Sequence, residues 1–183
     1  MRVVIIGPPG AGKGTQAAVL SNELGVPHIS TGDLFREHVG DETNLGQRVK
    51  DYLDAGQLVP DQITNEMVRQ RLTEEDCEAG FLLDGYPRTV SQAQMLADLL
   101  RAQDSDLDAV LLLDVPEDVV VERLLSRGRD DDSVEVIRRR QQVYQDETAP
   151  LLDFYSDRLV TVPAVGPIED VTARALVALR TRA

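Results

Sequence analysis

Cysteine is nearly absent from this chain of 183 residues: Cys77 stands alone. One thiol cannot close an internal disulfide or build a cysteine-based zinc cluster. Lysine is almost as scarce. Of 19 basic residues only Lys13 and Lys50 are lysines, so a lysine inside a glycine-rich loop carries weight. Positive charge as a whole is in deficit, with a formal net charge of −13. A general nucleic-acid binder needs a basic face to displace counterions, and that class is excluded. Long apolar stretches are missing too. No unbroken run is longer than that from Ala109 to Leu113, which is far below the ~20 residues of a membrane-crossing helix. Met1 to Gly7 is too short for a signal-peptide core, and the expected location is a reducing cytoplasm without membrane contact. No internal repeat, low-complexity tail or linker divides the chain, so a single α/β domain is expected.

What is present is ordinary apolar content, 42%, arranged with a clear rhythm. Val3-Val4-Ile5-Ile6, Phe81-Leu82-Leu83, Val110 to Leu113 and Leu159 to Val162 are short apolar runs. Continuous rather than alternating runs suggest strands of a parallel sheet covered on both faces. His28-Ile29 is a weaker fifth strand. Between the runs the period turns helical: Ala17, Leu20 and Leu24; then Val90, Ala93, Ala97 and Leu100. Helices opened by Pro116 and by Pro167 follow. Alternation of this kind predicts a doubly wound, five-stranded parallel sheet with helices on both faces. Residues 30–60 and 127–133 break the rhythm. In an open α/β sheet ligands sit beyond the carboxyl ends of the strands, and insertions there read as covers for a site.

The stretch GPPGAGKGT, Gly7 to Thr15, lies between the first strand and the first helix. It departs from the common phosphate-loop spacing, because Gly14 follows Lys13 and the hydroxyl arrives one residue late at Thr15. Its glycines let backbone N–H groups approach an anion, and the helix N-terminus adds partial positive charge. Lys13 can reach β- and γ-phosphates. The Asn-Lys-x-Asp stretch of a GTPase is absent. A kinase acting on a hydroxyl would want a base, whereas a phosphate acceptor is already largely ionised near neutral pH. The requirement then shifts to charge neutralisation, which arginine supplies through its planar fork.

Four further stretches follow in register: STGDLFR at 30–36, GQLVPD at 56–61, DGYPRT at 84–89 and TAPLLDFY at 148–155. Together with the loop, whose late hydroxyl is the family's own form, they closely resemble the adenylate kinase family over nearly the whole chain. The resemblance implies a P-loop NTPase-type core (1–29, 60–126 and 137–183), a flap for the monophosphate at 30–59 and a short lid at 127–136. It implies reversible transfer of the terminal phosphoryl group of Mg-ATP to AMP, giving two ADP, by a monomer. Gly10, Ala11, Gly12, Lys13, Gly14, Thr15, Arg127 and Gly166 would bind ATP. Thr31, Arg36, Gln57, Leu58, Val59, Gly85, Tyr86, Pro87, Arg88, Gln92, Arg129 and Arg140 would bind AMP. Lys13, Arg88, Arg123, Arg129 and Arg140 would act on the transferring group. Thr15 and Asp84 would support Mg²⁺ through water, with Asp33 a weaker candidate.

The residues themselves leave plainer readings beside these. Ser30 and Thr31 are good helix caps whatever else they do. Leu58 and Val59 read as an apolar pair at an exposed tip, available to a flat base. Arg88 and Gln92, spaced i, i+4 at a helix start, read as sharing a face. Arg123 and Arg127 do likewise, and two adjacent cations favour a bound anion. Arg138 and Arg139 point away from any face that Arg140 presents. Asp130 to Asp132 read as a solvated charge run; the resemblance implies that Asp131 and Asp132 belong to the lid and steady Arg129 or hold the lid closed. The lid is short and lacks cysteines, so a zinc-bearing form is excluded. His28 and His38 carry no evident role. A UMP/CMP kinase is the nearest rival, disfavoured by Thr31, and a regulatory nucleotide binder without transfer is the other.

Overall fold

In the computed structural model, which describes residues 1–127 and 133–182, five parallel strands form one sheet. They are β1 (Arg2–Ile6), β2 (His28–Ser30), β3 (Phe81–Asp84), β4 (Ala109–Asp114) and β5 (Leu159–Pro163). Their spatial order is β2-β3-β1-β4-β5. Chain order reverses at β1, so the switch point lies where β1 feeds the glycine loop, the position at which such sheets bind ligands.

The continuous apolar runs form strands because each must cover two faces. Val3 and Ile5 pack with Leu82, Leu111 and Leu113 against α1 (Lys13–Leu24), α6 (Glu117–Arg127) and α9 (Ile168–Arg180). Val4 and Ile6 point the other way, with Phe81, Leu83 and Val110, onto α4 (Asp61–Arg71), α5 (Val90–Arg101) and α8 (Leu151–Phe154). Period-two alternation thus divides one run between two cores. β5 departs from this expectation. It is an edge strand in which Val160 and Val162 are buried while Thr161 and Pro163 are exposed. Covered on one face only, it needs only alternate apolar residues. The stripe of α5 is also adjusted: Ala93, Leu96 and Leu100 are buried together with Gln92.

Residues 30–59 fold as α2 (Thr31–Gly40) and α3 (Asn44–Asp54). Ser30 and Thr43 cap these helices, accepting from the N–H groups of Asp33 and Gly46. Phe35, Val49 and Val59 give this pair a third small core, bordered by Ile63 and Met67 of α4. Its far end reaches α7 (Val134–Val143): a methyl placed on Gly56 would lie 3.1 Å from Val136 Cγ1. Among the described residues no helix is long and apolar enough to cross a membrane.

Candidate active site

A cavity of about 970 Å³ opens above the carboxyl ends of β1, β2 and β3. One side of it is made mainly of backbone. Gly10 has φ +87, and an added methyl there would lie 2.8 Å from the Val120 carbonyl and 2.9 Å from Leu124 Cγ. Only glycine lets the loop turn that closely over α6. Gly12 caps α1 in the left-handed region. Lys13 Nζ donates to the carbonyls of Gly7 (2.8 Å) and Pro8 (3.0 Å), which holds the ammonium over the loop. Ala11 is buried, Gly14 and Thr15 are exposed to the cavity. Arg123 bridges the loop to the chain after β5, donating to the carbonyls of Ala11 (3.3 Å) and Ala164 (3.0 Å). Gly166 lies on that same connection and lines the cavity.

The opposite side is made of side chains bonded across the sequence. Thr31 Oγ1 is buried and donates to the Gly85 carbonyl at 2.9 Å. Gly85 has φ +80, and a methyl on it would lie 2.8 Å from that hydroxyl. Arg88 Nε donates to the same carbonyl at 2.9 Å. Arg36 pairs with Asp33 at 2.5 Å on the cavity wall. Gln57, Leu58, Val59, Pro87 and Gln92 complete the lining.

Several expectations change in detail. Val59 does not sit at an exposed tip: it is buried against Phe35 and Val49, and Leu58 is half-buried. Apolar residues at the end of a two-helix flap close the flap's own core as well as wall the cavity. The Tyr86 ring faces away from the cavity, buried in the core, and its hydroxyl donates to Asn65 Oδ1 at 2.8 Å. Only its backbone is near the site, across the cis peptide to Pro87. Arg88 and Gln92 are neighbours without sharing a helical face, because α5 begins after the Thr89 cap. The link is a bond from the Arg88 backbone N–H to Gln92 Oε1, 2.7 Å. Ser30 rather than Thr31 caps α2. Arg138 and Arg139 are exposed while Arg140 lines the cavity. Arg129, Asp130 to Asp132 and the side chain of Arg127 lie outside the described residues.

Sequence reasoning missed three supports. Asp61 accepts from Gln92 Nε2 at 2.7 Å and from Thr89 Oγ1 at 3.1 Å. Thr148 donates to the Arg88 carbonyl at 3.0 Å. His28, given no role by the sequence, lines the cavity with Nε2 3.7 Å from Asp84 Oδ2. Asp61 and Thr148 lie within the stretches that carry the family resemblance, which was the available signal. His38 instead contacts Thr43, 3.1 Å from Nδ1 to Oγ1.

Electrostatically the cavity is the reverse of the whole chain. Among the described residues its lining holds Lys13, Arg36, Arg88, Arg123 and Arg140 against the carboxylates of Asp33 and Asp84. Arg88 keeps an accessible face, but that face looks into the cavity. Desolvation there lowers its pKa, Asp84 opposes the shift, and the charges of Arg140 and Arg36 lower it further. Arginine stays protonated regardless. The direction therefore reports crowding of like charges, which a bound polyanion relieves. Asp84 closes β3 with its carboxylate at the cavity floor, and a methyl on Gly14 would lie 3.5 Å from Oδ2. A buried carboxylate oxygen beside a phosphate loop, with Thr15 the next residue after Gly14, suits a hydrated hard cation. Among the described residues no group of three His, Cys, Asp or Glu side chains is placed to cage a metal by itself.

Comparison with known proteins agrees with this geometry. Residues 5–160 match the family model described as adenylate kinase. The chain is 60% identical over 179 residues to an adenylate kinase of Rhodococcus erythropolis (strain PR4 / NBRC 100887), covering 98% of this chain and 99% of that one. It is 59% identical, over the same shares, to adenylate kinases of Corynebacterium glutamicum (strain R) and Nocardia farcinica (strain IFM 10152). A phosphate loop at the switch point, facing a cluster of arginines across one cavity, is thus the site of a chain that belongs to the adenylate kinase family.

Proposed function

We infer that this cavity carries out the family's reaction, the reversible transfer of the terminal phosphoryl group of Mg-ATP to AMP, giving two ADP. The observation that carries the reading is the charge reversal: five cations face two carboxylates in the cavity of a chain with net charge −13. Two nucleotides brought together need that much neutralisation.

The donor triphosphate lies along the loop, where the amides of residues 10–15 and Lys13 cradle it. Its adenine rests beside Gly166. The acceptor monophosphate lies beneath the flap at 30–59, with its phosphate held by Arg36 and Arg88 and its adenine between Leu58, Val59 and Gln92. Arg123 and Arg140, with Arg127 and Arg129 from the lid at 127–136, surround the group in flight. An AMP phosphate oxygen attacks in line. It is already anionic, so no side chain takes a proton from it. The arginines neutralise charge on the equatorial oxygens, positioning both partners without covalent chemistry. Asp84 and Thr15 would hold the waters of a bound Mg²⁺, whose charge would offset that of the phosphates. Closing flap and lid keeps water from acting as acceptor. The unit acts as a cytoplasmic monomer on these small molecules, without nucleic acid, membrane or zinc.

A coupled assay for ADP, with Mg-ATP fixed and AMP, CMP, UMP, GMP or dTMP as acceptor, tests this. Turnover largely confined to AMP is expected. Preference for CMP or UMP would keep the mechanism and overturn the base assignment; no transfer to any acceptor would overturn the reaction.

A further inference from the structure

Gln92 is 2% exposed and lines the acceptor side of the cavity. Its two ends are not interchangeable. Nε2 donates to Asp61 Oδ1 at 2.7 Å, and Oε1 accepts from the Arg88 backbone N–H at 2.7 Å. An ionised carboxylate accepts and never donates, and a backbone N–H donates and never accepts. Turning the amide over would set oxygen against carboxylate oxygen and NH₂ against N–H. Asp61 is itself fixed. Thr89 Oγ1 donates to its other oxygen at 3.1 Å, and the same hydroxyl accepts from the Gln92 backbone N–H at 3.1 Å. Asp61 does not line the cavity; it stands behind the residue that does.

We propose that Asp61 determines which purine the acceptor site takes, by fixing which way round the Gln92 amide presents its donor and its acceptor. An amide nitrogen carries two hydrogens and its oxygen two lone pairs. With one of each engaged by Asp61 and Arg88, one N–H and one lone pair remain, in fixed places. A 6-amino purine offers a donor at N6 and an acceptor at N1, which match that pair. A 6-oxo purine offers an acceptor at O6 and a donor at N1. It is matched only by the reversed amide, which the Asp61 carboxylate repels. Discrimination of this kind is steep because a mismatched polar pair is left buried and unsatisfied. A carboxylate at the start of α4 also favours the helix dipole; that role would not depend on which base is bound. The proposal rests on the reading of Gln92 as the contact to the acceptor base.

The test compares kcat/KM for AMP, inosine 5′-monophosphate and purine riboside 5′-monophosphate, the last retaining N1 as an acceptor with nothing at position 6. In the unaltered protein the expected order is AMP, then purine riboside monophosphate, then inosine monophosphate. Inosine monophosphate at or above the purine riboside compound would overturn the proposal without any variant. In Asp61→Asn, whose amide can present either end to Gln92, the AMP-to-inosine-monophosphate ratio should fall by about tenfold or more, with KM for Mg-ATP unmoved. An unchanged ratio, or an equal loss for both acceptors, overturns the proposal and leaves Asp61 a structural residue. The two failures separate cleanly. If the unaltered protein does not prefer AMP to CMP and UMP, the Gln92 reading itself falls; if it does and the ratio is unmoved, only the Asp61 lock falls.

Discussion

The two sides of the cavity are built by different means. The side proposed for the donor is built round a continuous stretch, residues 7–16, whose amides, glycines and one lysine act through backbone geometry, with Arg123 bonded to it. The acceptor side is assembled from pieces far apart in sequence, joined by side-chain bonds: Thr31 to Gly85, Asp61 to Gln92, Thr148 to Arg88. A backbone-built site tolerates little change in conformation. A side-chain-built site can lose one bond and keep its shape, so its affinity and specificity are adjustable in small steps.

The largest effect should come from Lys13, the one charged side chain of the loop itself. On the proposed reading, Lys13→Ala removes the charge that meets the β- and γ-phosphates, and a fall of ~10³-fold in turnover is expected, with the melting temperature little changed. Turnover retained within tenfold would sink the assignment. Next is Gly10→Ala. Left-handed strain and the overlap with Val120 and Leu124 together cost about 3 kcal/mol, a fall in Tm of roughly 10 °C for a chain of this size. Calorimetry showing no loss would mean that the loop re-forms around an alanine, which would break the contrast between the two sides.

That contrast also explains what the sequence revealed. The donor loop is local. Its glycines, lysine and flanking apolar runs stand together, so spacing alone located the strand, the turn and the helix. The five strands were legible for the same reason, and β5 was misjudged only in its exposure, because a strand's place at a sheet edge is set by partners that the sequence does not name. On the acceptor side the residues were found through resemblance, while their bonds were not. Nothing local pairs Asp61 with Gln92 or Thr148 with the Arg88 carbonyl. The i, i+4 spacing of Arg88 and Gln92 led to a shared helical face, where the fold uses a backbone-to-amide bond. His28 was invisible because its closeness to Asp84 follows from β2 and β3 lying side by side, with Ser30 opposite Asp84.

A smaller effect is expected at the start of α2. Thr31→Val deletes the hydroxyl that ties α2 to the Gly85 carbonyl and leaves Arg88 Nε as the partner of that acceptor. A buried bond of this kind is worth ~1–2 kcal/mol, so kcat/KM for AMP should fall about tenfold while KM for Mg-ATP holds. Equal losses on both substrates would show that the flap and the loop are not separable.

The finest test uses matched threonines, one behind each side. Thr148 donates to the Arg88 carbonyl at 3.0 Å; Thr172 lies 2.8 Å from Gln16 Oε1, on the α9 segment that begins just after Gly166. Both are buried, and valine replaces each hydroxyl at nearly constant shape, at ~1 kcal/mol. If the sides are independent, Thr148→Val raises KM for AMP several-fold and leaves that for Mg-ATP, and Thr172→Val does the converse. The double variant should then be the sum of the two, within ~0.5 kcal/mol. A larger departure would mean that the donor and acceptor halves communicate through the sheet itself. The cavity would then be one cooperative unit whose two faces differ only in how they are made.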